Sequence, residues 1–244
     1  MKKRYIMTIC SILLSAVMAA CAGNSENQTT NTDNSSPKQE SPSVSDADEA
    51  DLSETESENT VSGGDGRILI AYFTAAENSG VDAVASASYS TVNGEAKGRL
   101  RAVADMIQDA TGGDLFSIQT SVVYPADGGE LIDYAAEEQE EQARPELTSH
   151  IENLEDYDTV FIGYPNWWAD MPMVMYSFFE EYDFSGKTII PFNVHNGSRF
   201  SGTISTIQKL EPDADVITDG FTINERDVPD AADAVADWVS GLEY

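Results

Sequence analysis

Thr159-Val160-Phe161-Ile162-Gly163-Tyr164-Pro165-Asn166-Trp167-Trp168 is the stretch on which the reading of this chain turns. Thr159 to Tyr164 is a short apolar run with β-branched residues, followed by a proline. That pattern is a buried strand running into a loop. The loop then carries two adjacent tryptophans. Exposing both is unfavourable: one can pack inward and the other needs a partner. A flat aromatic ligand suits that second ring, since offset stacking adds to area burial. The alternative is that both rings cap the hydrophobic core.

Outward from this strand the chain alternates strand and helix. Arg67 to Phe73 (RILIAYF) is a first strand. Leu100, Val103, Ala104 and Ile107 fall at helical spacing, and Gly112-Gly113 stops that helix. Leu115 to Ile118 is a second strand, followed by a polar helix over about 129–143 before Pro145. After the 159–164 strand, Pro172 to Tyr182 is helical. Thr188 to Val194 is a fourth strand, Ile204, Ile207 and Leu210 mark a helix, and a fifth strand lies within Val216 to Ile223. Val235, Trp238, Val239 and Leu242 belong to a last helix. Five apolar strands alternating with helices imply an α/β domain with a doubly wound parallel sheet covered on both faces.

In open parallel sheets, ligands bind beyond the carboxyl ends of the strands. The loop after the fourth strand, from Asn193 through His195, Asn196, Gly197 and Ser198 to Gly202, is small and polar, so its backbone groups are free to meet a ligand. His195 could hydrogen-bond such a ligand or be a structural loop histidine. Asp170 is open between a place near the ligand and the surface. The run Glu137 to Glu141 reads as a solvated helix face.

"GYPNWW" at 163–168, "YDFSGKTIIPF" at 182–192, "HNGSRFSGT" at 195–203 and "GFTIN" at 220–224 together resemble the flavodoxin family, most closely its single-domain bacterial members and flavodoxin-like lipoproteins. The resemblance spans about Arg67 to the C-terminus. It implies a five-stranded sheet of order 2-1-3-4-5 and FMN held non-covalently at the strand ends. On that reading Trp167 or Trp168 faces the isoalloxazine, Asn193, His195, Asn196, Gly197 and Ser198 line its pyrimidine side, and Pro165 and Asn166 are further cofactor-binding positions.

The first loop departs from the family pattern. A segment of about 24 residues runs from Thr74 to Gly98 where the family has a tight Ser/Thr-rich turn. Gly98, or alternatively Gly94, takes the place of the family glycine; with Gly98, Arg99 and Leu100 stand where Asn and Thr are usual. The loop leads to a helix N-terminus, whose free amides and dipole favour a phosphate. Thr74, Gly98 and Arg99 are the phosphate-side candidates, and the loop also offers the hydroxyls of Ser79, Ser86, Ser88, Ser90 and Thr91. Lys97, Arg99 and Arg101 crowd that helix start, against the dipole, and call for anions. The FMN phosphate is one source of negative charge and the surface carboxylates are the other.

The N-terminal quarter reads differently. Lys2, Lys3 and Arg4 precede an apolar stretch too short for a spanning helix, which ends in Ala19-Ala20-Cys21. This resembles a bacterial lipoprotein signal, 1–20, with Cys21 as the acylated residue. Residues 21–65 read as an acidic Ser/Asn-rich tether with almost no large apolar residue, expected to be disordered, with a reach of roughly 35–40 Å. The domain is 66–244. The expected location is extracytoplasmic, with the membrane reached through the lipid anchor only. Cys10 and Cys21 are the two cysteines, so the folded part has no thiol chemistry, no disulfide and no Cys-based metal site.

The formal net charge of −30 argues against nucleic acid, which needs basic surface. It suits a redox partner protein with basic surface, or a small-molecule electron acceptor of the quinone type. Three functions follow in order. The first is an FMN electron carrier or oxidoreductase. The second is a surface binding protein that kept the fold and lost the flavin. The third, a hydrolase, lacks a Gly-x-Ser-x-Gly elbow. Two histidines without suitable spacing leave a zinc enzyme weaker still.

Overall fold

A computed structural model describes residues 67–243. The signal segment, Cys21 and the tether lie outside the described residues. β1 (Arg67–Tyr72) sets the architecture by its alternation. Leu69, Ala71 and the following Phe73 enter one buried cluster, while Ile70 and Tyr72 enter another on the opposite face. A strand apolar on both sides must be covered on both sides.

The chain then makes two 3-10 turns and an antiparallel hairpin, β2 (Tyr89–Val92) and β3 (Glu95–Gly98). Its tip, Asn93-Gly94, has positive φ at both residues, as a two-residue hairpin turn requires. α1 (Arg99–Thr111) follows and ends at Gly112 in the left-handed region. β4 (Asp114–Ser117) leads to α2 (Gly128–Glu141), capped by Asp127, whose carboxylate accepts from the N–H groups of Gly129 and Glu130. Next come β5 (Tyr157–Pro165), α3 (Met173–Glu181), β6 (Thr188–His195) and α4 (Thr203–Leu210). β7 (Asp215–Val216), β8 (Phe221–Asn224) and α5 (Ala232–Ser240) complete the fold.

The main sheet runs β4-β1-β5-β6, with β7 and β8 both on the outer side of β6, and every pairing is parallel. Numbered along the chain without the hairpin, this is the expected 2-1-3-4-5. α1 and α5 cover one face through Leu100, Val103, Ile107, Val235 and Val239. α2, α3 and α4 cover the other through Leu131, Val174, Met175, Phe178 and Ile207.

Two expectations need correction. The sheet has six strands, because the fifth is broken into β7 and β8. The break lies opposite Pro191, which has no N–H to donate. Gly220 then passes so close to the Pro191 carbonyl that an added Cβ would lie 2.3 Å from it. The segment from Thr74 to Gly98 is also not an open loop, since most of its second half pairs with itself as the hairpin. Among the described residues no helix is long and apolar enough to cross a membrane, and no cluster of His, Cys, Asp and Glu could hold a metal.

Candidate functional site

The carboxyl ends of β5, β6 and β8, the start of α1 and one side of α2 enclose a cavity of about 290 Å³. It lies where an open parallel sheet is expected to take its ligand. Seven of the sequence candidates line it: Arg99, Pro165, Asn166, Trp167, Trp168, His195 and Asn196.

The tryptophan end is built by a tight turn. Trp167 and Asp170 exchange backbone hydrogen bonds of 2.9 Å in both directions. Trp168 and Ala169 between them have φ of 51° and 62°. Left-handed backbone at two non-glycine residues is uncommon, and here the reciprocal pairing holds it. The turn sends the two rings opposite ways. Trp167 packs edge-on against Phe73 and Tyr124, with centroids 5.8 and 5.6 Å away. Trp168 is 56% exposed, and its Nε1 donates to the Ile132 carbonyl on α2 at 3.0 Å. Asp170 accepts from the Tyr176 hydroxyl at 2.9 Å and from the Met171 N–H at 2.8 Å, so its carboxylate serves the turn and the start of α3.

Behind Trp167 the aromatic cluster ends in a buried acid. The Tyr124 hydroxyl donates to both carboxylate oxygens of Glu138 at 3.3 Å. Burial pushes the Glu138 carboxyl up to about 7, against that hydrogen bond. Glu138 thus departs from the uniformly solvated helix face expected for 137–141.

The β6 end supplies His195 and Asn196. His195 Nδ1 accepts from the Gly197 N–H at 2.8 Å, which puts the ring proton on Nε2. Burial, with Arg199 second, lowers the pKa of His195, opposed by Asp227 and Glu225. The imidazole is therefore neutral near pH 7. Asn193, Gly197 and Ser198 do not line the cavity. Asn193 is fully buried. Its amide nitrogen donates to the Arg199 carbonyl at 2.9 Å, and its oxygen accepts from Thr222 at 2.6 Å. Asn166 donates to that same Arg199 carbonyl at 2.7 Å. The two amides thus fix a loop whose Arg199 and Ser201 have positive φ. Asn193 supports the wall from behind, while Gly197 and Ser198 face solvent.

At the α1 end the cations find protein carboxylates. Lys97 pairs with Asp105 at 2.8 Å. Arg101 pairs with Asp105 at 2.6 Å and donates to the Tyr72 hydroxyl at 3.0 Å. Arg99 pairs with Glu225 at 2.9 Å. Thr74 and Gly98 sit just behind this end. Thr74 is buried, and a Cβ on Gly98 would lie 2.6 Å from its Oγ1. Only glycine allows β3 to pass into α1 over that side chain.

Ser88, one of the first-loop hydroxyls, also lines the cavity, while sequence reasoning missed Ala87, Leu100, Gly128, Leu131, Ile132, Ala135, Val194 and Glu225, which complete the lining. Leu131 and Ala135 lie four apart on α2 and were accessible as one helix face. Nothing local marked Glu225.

A family model described as Flavodoxin matches residues 84–242. Comparison with curated proteins gives no match. Among solved structures, a candidate flavoprotein from Bacteroides uniformis is 26% identical over 71% of this chain and 97% of that one, with a TM-score of 0.55. Another from Bacteroides eggerthii is 28% identical over 70% and 98% of the two chains, with a TM-score of 0.51. The match takes in β5 with its tryptophan loop, the β6 end and the whole far half of the sheet, and on that ground the chain belongs to the flavodoxin family.

Proposed function

We propose that this protein binds FMN in the cavity described above and transfers electrons, as a carrier or as an oxidoreductase with a quinone-type acceptor. The observation that carries this reading is Trp168, an aromatic ring left 56% exposed at the rim of a cavity whose other tryptophan is spent on the core. A planar heterocycle gives that ring the partner it lacks.

The polar atoms fit the same ligand. Thr74 Oγ1, Arg99 Nε and Asn166 Oδ1 are buried and have no hydrogen-bond partner in the protein. Such groups are normally satisfied. Arg99 begins α1, where a phosphate belongs, with Thr74 packed behind the preceding Gly98, and Asn166 lies at the β5 end, where the polar edge of a ring belongs. FMN, when bound, supplies the reversible electron chemistry. The chain's part is to seat the ring beside Trp168, to offer it the neutral Nε2–H of His195, and to exclude water with Leu131 and Ala135.

The partner is a redox protein or a small-molecule acceptor, and nucleic acid is disfavoured by the charge. The location outside the membrane rests on the signal pattern and on Cys21. Cys21→Ala should abolish incorporation of a labelled lipid and leave the domain's melting temperature unchanged. Equal labelling of the two proteins would end the anchor reading.

A second reading is a flavin-free binding protein, favoured by the altered phosphate loop and by Arg99 being already paired with Glu225. Titration of FMN into the purified protein separates the two. Saturable quenching of flavin fluorescence at one equivalent is expected for a flavoprotein. Absence of quenching at any concentration would favour the flavin-free relative.

A further inference from the structure

Two facts about the cavity stand together. Its lining contains, among the described residues, one basic side chain, Arg99, and one acidic side chain, Glu225. These two are paired with each other at 2.9 Å. The cavity therefore offers an incoming anion no net positive charge. At the α1 end the neighbouring cations do not make this up, because Lys97 and Arg101 are both held by Asp105; Arg199 acts at the opposite end, on His195. The first N–H of α1 is also engaged, since Arg99 N–H donates to the Ser88 carbonyl at 2.9 Å.

We infer that Glu225 sets this pocket's choice between phosphorylated and unphosphorylated flavin by holding Arg99 until a phosphate replaces it. The inference rests on the FMN reading given above. Arg99 is suited to the exchange. Its Nε is buried without a partner, and one Nη already bridges Glu225 and, at 3.4 Å, the Ala87 carbonyl. The guanidinium is thus anchored and incompletely satisfied. A phosphate can take it through a charge-assisted fork. Thr74 Oγ1, also without a partner, is packed behind Gly98, the residue before Arg99, outside the cavity lining.

Glu225 is suited to leave. Its backbone is fixed at the end of β8, where its N–H donates to the His195 carbonyl at 2.8 Å. Its side chain is 28% exposed. A rotation of that side chain alone carries the carboxylate to solvent and leaves the sheet as it is. Where both anions stay, like charges meet in a partly desolvated site, which opposes binding of the phosphorylated form. Riboflavin carries no phosphate and has no quarrel with Glu225. The pair therefore narrows the advantage that a phosphate would otherwise confer.

The test is a matched titration of FMN and riboflavin into the wild type and Glu225→Gln, followed by flavin fluorescence. Gln keeps the size of the side chain and an oxygen that accepts from Arg99, and it removes the charge. The FMN dissociation constant is expected to fall about tenfold while that of riboflavin moves less than about twofold. Inorganic phosphate should compete with FMN more strongly in the variant. Glu225→Ala serves as a second variant if Gln impairs folding, and its FMN-to-riboflavin ratio should move the same way. An unchanged ratio, with both flavins still bound, would overturn the role of Glu225 and leave the flavin reading standing. Loss of FMN binding in the variant with riboflavin retained would overturn it too, by making Glu225 a supporter of the phosphate. Failure of the wild type to bind either flavin would overturn both readings.

Discussion

The cavity has an aromatic end and a charged end, and they are built by different kinds of chain. At the aromatic end β5 runs straight into a two-residue turn, and neighbouring tryptophans are sent to opposite environments. At the charged end 26 residues, 73–98, intervene between β1 and α1, and the pairing that results, Arg99 with Glu225, joins residues far apart in sequence. The first arrangement is local and is enforced by backbone geometry. The second depends on two distant elements meeting correctly. A ligand at the aromatic end finds a surface already made. At the charged end it meets a pair that must be reopened.

The comparison breaks first at Trp167. Trp167→Ala removes a ring packed on Phe73 and Tyr124, and should lower unfolding free energy by about 2–4 kcal/mol. Denaturant titration without flavin measures it. A stable Trp167→Ala beside an unfolded Trp168→Ala would reverse the assignment of the two rings. At the other end, Arg99→Ala should weaken FMN by about 10–100-fold more than riboflavin, the worth of a charge-assisted contact. An equal loss for the two ligands would remove Arg99 from the phosphate.

Behind the aromatic end, Glu138 makes the stability pH-dependent. Its folded pKa, about 7, lies above the ordinary 4.5 of an accessible glutamate. The stability it contributes is then fully present below about 4.5 and is lost as pH rises through about 7. The loss should be on the order of 2 kcal/mol. Glu138→Gln should flatten this part of the profile, visible as a smaller fall in melting temperature between pH 5 and pH 8. Glu211, which burial also pushes up to about 7, should account for what slope remains. A profile identical to wild type would show that Glu138 ionises freely. The smallest effect belongs to Trp168→Ala. It should leave stability within about 1 kcal/mol and weaken FMN somewhat more than tenfold. Unchanged affinity would mean that the flavin does not rest on this ring.

Much of this arrangement was readable in the residues, and unevenly so. The strands were legible because each is apolar through its middle, and the order followed from family resemblance. Trp167 and Trp168 were legible as a pair with two fates because no loop can bury both rings cheaply, but which ring faces out is decided by positive φ at Trp168, which sequence does not reveal. Asn193 looked like a ligand contact since it sits at a strand end. Its alternation along β6 points it inward, and Thr222 and Arg199 consume its amide. Glu225 was illegible because its meaning lies in Arg99, 126 positions away. The split of the last strand was foreshadowed by Pro191, whose missing donor acts on a neighbouring strand rather than on its own.

The hairpin between β1 and α1 also has a use in protein engineering. The excursion leaves at Thr74 and returns at Gly98, and those two residues touch. Whatever length of chain lies between them, the sheet receives it at one point. The tip, Asn93-Gly94, faces solvent, and nothing lies within 4 Å of where a Gly94 side chain would begin. Exposed tips of this kind accept inserted domains. A fluorescent reporter spliced there would stand a few residues from Ala87 and Ser88, which line the cavity. Ligand binding would then be read out as light from a graft that leaves the sheet untouched.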